Sequence, residues 1–151
     1  MPQQTTDVRT APFADLDART FHDLLKLRID VFVVEQHCPY PELDGRDVEP
    51  GTRHVWVTDG DAPLAYLRIL ADPDGAARIG RVVVAPTARG DGHAGRLMTT
   101  ALEVVGDRPS VLEAQSHLVA FYARHGFAVS GPEYVEDGIP HTPMRRDVID
   151  A

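Results

Sequence analysis

The chain has 151 residues, of which 43% are hydrophobic and 25% charged, a globular composition that predicts one domain over residues 1–151. Its formal net charge of −8, with no basic run longer than Arg145-Arg146, argues against nucleic acid as a partner. The sequence contains no apolar run of about 18 residues, so no membrane span is expected. The N-terminus lacks a secretory pattern, and with a single cysteine, Cys38, this predicts a cytoplasmic protein.

The first half of the chain predicts one helix and a set of hairpins. Residues 20–36 place apolar side chains at helical spacing and predict a helix. The segment up to Gly51 is too rich in proline, glycine and aspartate for a regular element, so a structured loop is expected. Strands are predicted at 53–58, 62–70 and 77–84, and the short turns between them indicate hairpins.

The second half alternates strands and helices. A glycine-rich segment leads into a helix that is predicted to end near Val105. A strand at 110–114 and a helix at 116–125 follow, and Gly126 is expected to cap that helix. Residues 127–149 predict two further strands. This order of elements predicts a mixed α/β sheet.

The glycine-rich segment "ARGDGHAG" separates the strand that ends at Val84 from the next helix. A helix N-terminus attracts anions through its unpaired N–H groups and its dipole, and glycines let a phosphate approach the backbone. Arg89 would add positive charge there, whereas Asp91 would oppose an anion unless it faces solvent. The alternative is a surface turn that only begins a helix.

Two phosphate-binding interpretations compete for this segment. "GDGHAG" matches the G-x-G-x-x-G pattern of dinucleotide sites, and Glu113 lies about twenty residues further on. The first glycine of that pattern should directly follow a strand, but "PTAR" intervenes here, and hairpins precede it where βαβ units are required. The sequence contains no G-K-[S/T], which excludes a P-loop.

The second interpretation is the pattern R-x-x-G-x-A, formed by residues 89–94 between a strand and a helix. In this setting the segment resembles the acetyl-CoA loop of the general-control-type N-acetyltransferase (GNAT) superfamily. "QSHLVAFYARHGF" is similar to a later helix of the superfamily, with Gln115 replacing the usual asparagine, Tyr122 seven residues later and Gly126-Phe127 at the end. "LLKLRIDVFVVEQHCPYPELDGRD" and "YVEDGIPH" are similar to its ElaA-like branch.

This resemblance implies a GNAT fold, with a mixed and mostly antiparallel sheet flanked by helices, and transfer of an acetyl group from acetyl-CoA to a primary amine of a small molecule or peptide. A backbone N–H of the preceding strand would polarise the thioester carbonyl. Tyr122 would protonate or stabilise the leaving thiolate, with packing in its helix as the alternative role. The residues implied in acetyl-CoA binding are Val82, Val83, Val84, Arg89, Gly90, Asp91, Gly92, His93, Ala94, Gly95, Gln115 and Tyr122.

The sequence does not assign the base that deprotonates the amine. By the resemblance, Glu35, Glu42, Asp44, Asp137 and His141 would flank the acceptor, and a chain of water molecules could replace a single base. His141 is the best single candidate because imidazole titrates near neutral pH.

Arg28 falls on the apolar face of its predicted helix, so it requires an acidic partner if it is buried. Glu42, Asp44 or Asp47 could pair with it and brace the loop. Arg28, Phe32, Glu42, Asp44 and Asp47 also resemble the spacing in acyl-homoserine-lactone synthases, which implies a related acyltransferase as a minor alternative. The residues considered for acceptor binding are Arg28, Glu35, Glu42, Asp44 and Asp137.

No metal site is expected, because neither H-E-x-x-H nor C-x-x-C occurs and the adjacent His37 and Cys38 would point apart in an extended loop.

A CoA-binding module without catalysis is the alternative from a different functional class. A homodimer through the C-terminal strands is compatible with the sequence.

Overall fold

The computed structural model describes residues 5–37 and 41–148, so Cys38 lies outside the described residues. Within these ranges eight strands form one sheet in the order β1-β2-β3-β4-β5-β8-β6, and β7 also pairs with β8. The strands are β1 (Asp7–Ala11), β2 (Arg53–Thr58), β3 (Pro63–Ala71), β4 (Ala77–Val84), β5 (Ser110–Gln115), β6 (Ala128–Val129), β7 (Tyr134–Glu136) and β8 (Ile139–Arg146). The helices are α1 (Ala18–Arg28), α2 (His93–Val105) and α3 (Val119–Ala123).

Strands β1 to β4 form an antiparallel meander that is covered on both faces. Because successive residues of a strand point to opposite faces, Val55 and Val57 join the core under α2, whereas Trp56 joins the core under α1. Tyr66 of β3 lies on the α1 face and its neighbour Leu67 on the α2 face. This double coverage explains why β2 and β3 are apolar along most of their length.

The parallel pair β4 and β5 is joined only at one end. The register connects Ala77 with Ser110 and Arg78 with Val111, and in the described chain no further pairing between the two strands is recorded. Beyond this point the strands separate, while β5 remains fully paired with β8 on its other side. A cleft therefore opens inside the sheet between the C-terminal halves of β4 and β5.

Asp17 is the N-cap of helix α1, and its carboxylate accepts a hydrogen bond of 2.7 Å from the Thr20 N–H. After Arg28 the chain continues as a π-helical segment, Ile29–Glu35, rather than as a regular α-helix. Such wider turns insert a residue into a helix and occur often at functional sites. This segment carries the side chains that face the cleft from the α1 side.

The observed fold class confirms the prediction of a mixed sheet flanked by helices. Strands 53–58 and 77–84 and the end of α2 at Val105 are as predicted. Strand β1 was not predicted, and residues 116–125 form a 3₁₀ turn followed by the short α3 instead of one helix. Among the described helices none has the length and apolar character that crossing a membrane requires.

His54 of β2 is fully buried and supplies a first testable prediction. Its Nε2–H donates to the Asp47 carbonyl at 3.0 Å, and the Tyr66 hydroxyl donates to Nδ1 at 2.6 Å. Both contacts are made by a neutral ring, and burial lowers the pKa of His54. Because the unfolded chain takes up this proton below pH of about 6.5, the free energy of unfolding should fall as the pH drops from 6.5 toward the lower folded-state pKa.

Unfolding in urea at pH 7.5, 6.5 and 5.5 measures this effect. One such histidine contributes at most about 1.4 kcal/mol per pH unit. His54→Gln should flatten the pH dependence, whereas the exposed His22→Gln should leave it unchanged. An unchanged slope in His54→Gln would contradict the assignment.

Candidate active site

The cleft between β4 and β5 is a cavity of about 910 Å³. It is bordered by the π-helical segment, β4, the loop before α2, β5, α3 and the β7–β8 turn. Sequence-predicted residues that line it are Glu35, Val82, Val83, Val84, Arg89, Ala94, Gln115, Tyr122, Asp137 and His141. The fold thus brings together in one cavity residues that lie up to about a hundred positions apart in the chain.

A β-bulge in β4 determines which backbone groups face the cleft. The register pairs Tyr66 with Val83 but Arg68 with Gly80, so Leu67 of β3 lies opposite both Arg81 and Val82. Before the bulge, the Ala77 N–H faces the β5 side and donates to Pro109 O at 2.8 Å.

After the bulge, the Ala85 N–H faces β3 and donates to Leu64 O at 2.8 Å. Ala77 and Ala85 lie eight positions apart, an even offset, so strict alternation would point their N–H groups to the same side. The extra residue reverses the phase, so the N–H and C=O groups of Val82 and Val84 point into the cleft.

The loop before α2 has the geometry of an anion site at its backbone. Gly90 and Gly92 adopt positive φ angles of 90° and 80°, which favour glycine, and Gly92 is the N-cap of the 13-residue α2. A Cβ atom at Gly90, Gly92 or Gly95 would meet no atom within 4 Å, so the space beside these backbones is open. No side chain caps the first N–H groups of α2, which leaves them available to an anion.

The side chains of this loop do not all face the cleft. Asp91 is exposed, which removes the conflict that the sequence raised, and His93 is buried outside the cavity lining. Arg89 forms a bidentate ion pair with Glu35, with distances of 2.8 and 2.9 Å, and its Nε donates to Val84 O at 3.2 Å. A second cavity of about 480 Å³ borders Gly92, Gly95 and the outer face of α2.

Tyr122 lies on the opposite wall of the cleft, on α3, and is 5% exposed. Within the described residues its hydroxyl makes no hydrogen bond, and the oxygen is open to the cleft. Burial raises the pKa of Tyr122 to about 12, so the phenol keeps its proton throughout the neutral range. The cleft therefore contains a neutral hydroxyl donor that is not used by the fold.

His141 of β8 lines the cleft on the side of the β7–β8 turn. Its Nδ1 lies 2.8 Å from the Ile139 carbonyl, which can only accept, so Nδ1 carries the proton and Nε2 has the free lone pair in the neutral ring. The ring stacks on Tyr134 at a centroid distance of 5.6 Å. Tyr134 in turn donates to Glu113 at 3.0 Å, and these contacts fix the orientation of the imidazole.

The other candidate bases differ in position. Hydrogen bonds from Arg89 lower the pKa of Glu35, so this carboxylate is a weaker base than an unpaired one. Asp137 lies at the β7–β8 turn with a φ of 52° and lines the cleft. Glu42 and Asp44 do not line it.

Arg28, Glu42 and Asp44 belong instead to a group of ion pairs that joins α1 and the segment before β2 to β3 and β4. Arg28 is 0% exposed and contacts Glu42 at 3.2 Å and Asp47 at 2.8 Å, which confirms that it is buried with acidic partners. Asp44 contacts Arg68, and the hydrogen bonds from Arg68 lower its pKa. Arg28, Glu42 and Asp44 therefore connect α1 and the segment before β2 to the sheet, and they do not line the cleft.

Sequence reasoning did not single out Gln36, which directly follows the π-helical segment, or Arg81 of the bulge, and both line the cleft. Phe32 and Glu113 also line it, although the sequence suggested them only for the homoserine-lactone-synthase and dinucleotide alternatives. The alternation of polar residues in β5 could have indicated Glu113, because a strand with one exposed face alternates in this way. Among the described residues no group of His, Cys, Asp or Glu could hold a metal ion.

The sheet, the bulge and the glycine loop are those of an acyltransferase fold, and a family model described as Acetyltransferase (GNAT) domain matches residues 21–148. The chain therefore belongs to the GNAT acetyltransferase family. Its relatives include the UPF0039 protein Rv2851c of Mycobacterium tuberculosis, which is 52% identical over 136 residues that cover 87% of each chain. The ElaA-like resemblance is confirmed by the crystal structure of Escherichia coli ElaA.

ElaA superposes with a TM-score of 0.90 at 38% identity and covers 95% of this chain and 100% of its own. The crystal structure of an acyl-CoA N-acyltransferase from Pseudomonas aeruginosa superposes with a TM-score of 0.89 at 44% identity. That match covers 94% of this chain and 99% of the other. These relatives span nearly the whole sequence, so the family assignment applies to the whole described fold.

Proposed function

We propose that this protein is an N-acetyltransferase that transfers the acetyl group of acetyl-CoA to a primary amine of a small molecule or peptide. The observation that carries the proposal is the Tyr122 hydroxyl, which is open to the cleft and makes no hydrogen bond among the described residues. A thiolate in the cleft would be its hydrogen-bond partner. Family membership and the name of the Pseudomonas relative, an acyl-CoA N-acyltransferase, support an acyl-CoA donor.

The donor would lie along the open side of β4. Its diphosphate would accept hydrogen bonds from the first N–H groups of α2 beside Gly90 and Gly92, where no Cβ atom intervenes. The amides of its pantetheine arm would pair with the N–H and C=O groups of Val82 and Val84 that face the cleft, in place of the missing β5 ladder. The second cavity beside Gly95 gives the nucleotide end a place on the outer face of α2.

The chemistry requires three separate tasks from the residues of the cleft. His141 Nε2 would accept the proton that the amine loses, directly or through water. A cleft-facing N–H of β4 would donate to the carbonyl oxygen as negative charge develops on it. Tyr122 would donate a hydrogen bond to the departing thiolate. Its pKa of about 12 exceeds that of a thiol, about 8.5, so it stabilises the thiolate without transferring its proton completely.

Thiol release from acetyl-CoA in the presence of a panel of primary amines tests this proposal. The panel should contain polyamines, aminoglycosides, amino acids and peptides with free N-termini. Release above the uncatalysed rate with at least one amine supports the enzyme, whereas tight CoA binding without release supports a binding module. Binding of S-adenosylmethionine, detected by thermal shift, would instead support an acyl-homoserine-lactone-synthase-like reaction.

Gly92→Ala tests the site of the diphosphate. An alanine side chain at a φ of 80° is strained and would project into the open space that the diphosphate is proposed to occupy. Loss of one or two charge-assisted hydrogen bonds should raise the Kd for CoA by about tenfold or more. Isothermal titration with CoA measures this change.

The matched control is Gly75→Ala in the turn between β3 and β4. Gly75 has a φ of 91° and also shows no atom within 4 Å of a Cβ, but it does not line either cavity. Both variants should lose a similar amount of stability, and only Gly92→Ala should lose CoA affinity. Equal CoA affinity in the two variants would contradict the proposed diphosphate site.

A further inference from the structure

Arg81 occupies a backbone position that favours glycine. It lies in the β4 bulge with a φ of 56°, in the left-handed region that costs a residue with a side chain about 1–2 kcal/mol. The residue before it, Gly80, has an ordinary conformation although it could adopt the left-handed one freely. The chain therefore has an arginine at a position where a glycine would be less strained. This indicates that the Arg81 side chain has a role of its own.

The Arg81 guanidinium is anchored to Glu42, in the segment that precedes β2. Its Nε donates to Glu42 Oε2 at 2.8 Å, and its Nη2 donates to the Glu42 carbonyl at 3.4 Å. Glu42 is only 5% exposed, and Arg28 contacts the same Oε2 atom from the other side at 3.2 Å. Arg28 is fully buried at the end of α1 and is held by Asp47 as well. The bulge is therefore tied through Glu42 to the end of α1.

We propose that Arg81 is a positioning residue that fixes the phase of β4, so that the N–H and C=O groups of Val82 and Val84 face the cleft. Without the extra residue of the bulge, strict alternation from Ala77 would point the N–H and C=O groups of Val83, and not those of Val84, into the cleft. A shift of β4 by one residue relative to β3 would remove the bulge. The backbone groups of Val83 would then face the cleft, and those of Val84 would face β3. The anchor to Glu42 opposes this shift because the Arg81 side chain would have to leave a buried carboxylate.

This inference rests on the proposed function for its effect on catalysis, since the groups that Arg81 orients are those proposed to bind pantetheine and to polarise the thioester. An error of about 1 Å in such a group can cost a large factor in kcat while substrate binding through distant contacts is kept. The residue itself acts through the backbone and not on the reacting atoms.

Arg81→Gly is the informative substitution because glycine adopts this φ freely, which separates loss of the anchor from backbone strain. The expected result is a kcat about tenfold or more below wild type, a KM for acetyl-CoA that rises by a smaller factor because the diphosphate contacts are kept, and a Tm within a few degrees. Arg81→Lys, which keeps a cation near Glu42, should recover most of kcat. Arg46→Ala, which removes ion pairs with Glu49 and Asp72 outside the cleft, should leave kcat unchanged.

Amide hydrogen exchange at Val83 and Ala85, whose N–H groups face β3, provides a readout without turnover. In Arg81→Gly it should become faster while exchange in β2 stays unchanged. If the wild type transfers acetyl groups and Arg81→Gly does so equally well, the positioning role is overturned and the proposed function stands. If no amine is acetylated, the proposed function fails, and the exchange rates still decide whether Arg81 holds the bulge. Equal exchange in wild type and variant overturns the inference in either case.

Discussion

Replacing Tyr122 with phenylalanine is expected to lower kcat by about a hundredfold while the Kd for CoA stays within about twofold. The substitution keeps the ring, which packs edge-on against Phe121 and Phe127 at 5.0 and 6.3 Å, and removes only the hydroxyl. A positioned proton donor typically contributes about 10² to 10⁴ in rate, and in this protein the hydroxyl has no structural partner to lose among the described residues. Stability should therefore be unchanged or slightly improved, which distinguishes this variant from a folding defect.

Steady-state thiol release and CoA titration on the same preparations measure the two quantities. Tyr134→Phe is a suitable comparison, since it keeps the stack on His141 and removes only the hydrogen bond to Glu113, so a much smaller loss is expected. Because the pKa of Tyr122 is about 12, its ionisation should not reduce kcat below pH of about 11. A Tyr122→Phe enzyme with wild-type kcat would remove Tyr122 from the mechanism.

Replacing Arg28 with alanine is expected to reduce the free energy of unfolding by about 3–5 kcal/mol. Arg28 is 0% exposed, and its removal leaves the buried carboxylates of Glu42 and Asp47 short of one cation. Its guanidinium also lies 5.5 Å from the centre of the Tyr66 ring, a contact that the substitution deletes. Arg68 and Arg81 still contact the two carboxylates, which places the expected loss toward the lower end of the range.

Chemical unfolding of Arg28→Ala and Lys26→Ala makes a matched comparison within one helix. Lys26 forms an exposed ion pair with Asp30 at 2.7 Å, and such exposed i,i+4 pairs contribute little to stability. The two variants should therefore differ severalfold in their effect. A loss below about 1 kcal/mol in Arg28→Ala would show that the ion pairs of Arg28 with Glu42 and Asp47 do not brace the fold.

Part of the candidate site could be predicted from the sequence because it depends on short sequence patterns. The glycines at 90 and 92 adopt the left-handed φ values that explain their presence, and a helix begins directly after them. The predicted cofactor residues Val82, Val84, Gln115 and Tyr122 all line one cleft. Which of the candidate bases acts was left open, and the free Nε2 of His141 follows only from its contact with Ile139.

The features that sequence reasoning missed depend on contacts between distant segments. Arg81 stands in a glycine-type conformation because Glu42, 39 residues away, holds its side chain. Glu35 is paired with Arg89 across 54 residues, which no local pattern reveals. Strand β1 is short, with Val8 as its main apolar residue, and becomes a strand only because β2 offers its edge.

The sequence by itself determined the order of the elements, the bounds of β2 and β4, the glycine loop before α2 and the family to which the chain belongs. These follow from side-chain periodicity and from glycine's backbone freedom, which act over a few residues. Tertiary structure decided the splay of β5 from β4, the phase reversal at Arg81 and the burial of Arg28. Each of these depends on hydrogen bonds and ion pairs that exist only after remote segments have met, so no short stretch of sequence contains them.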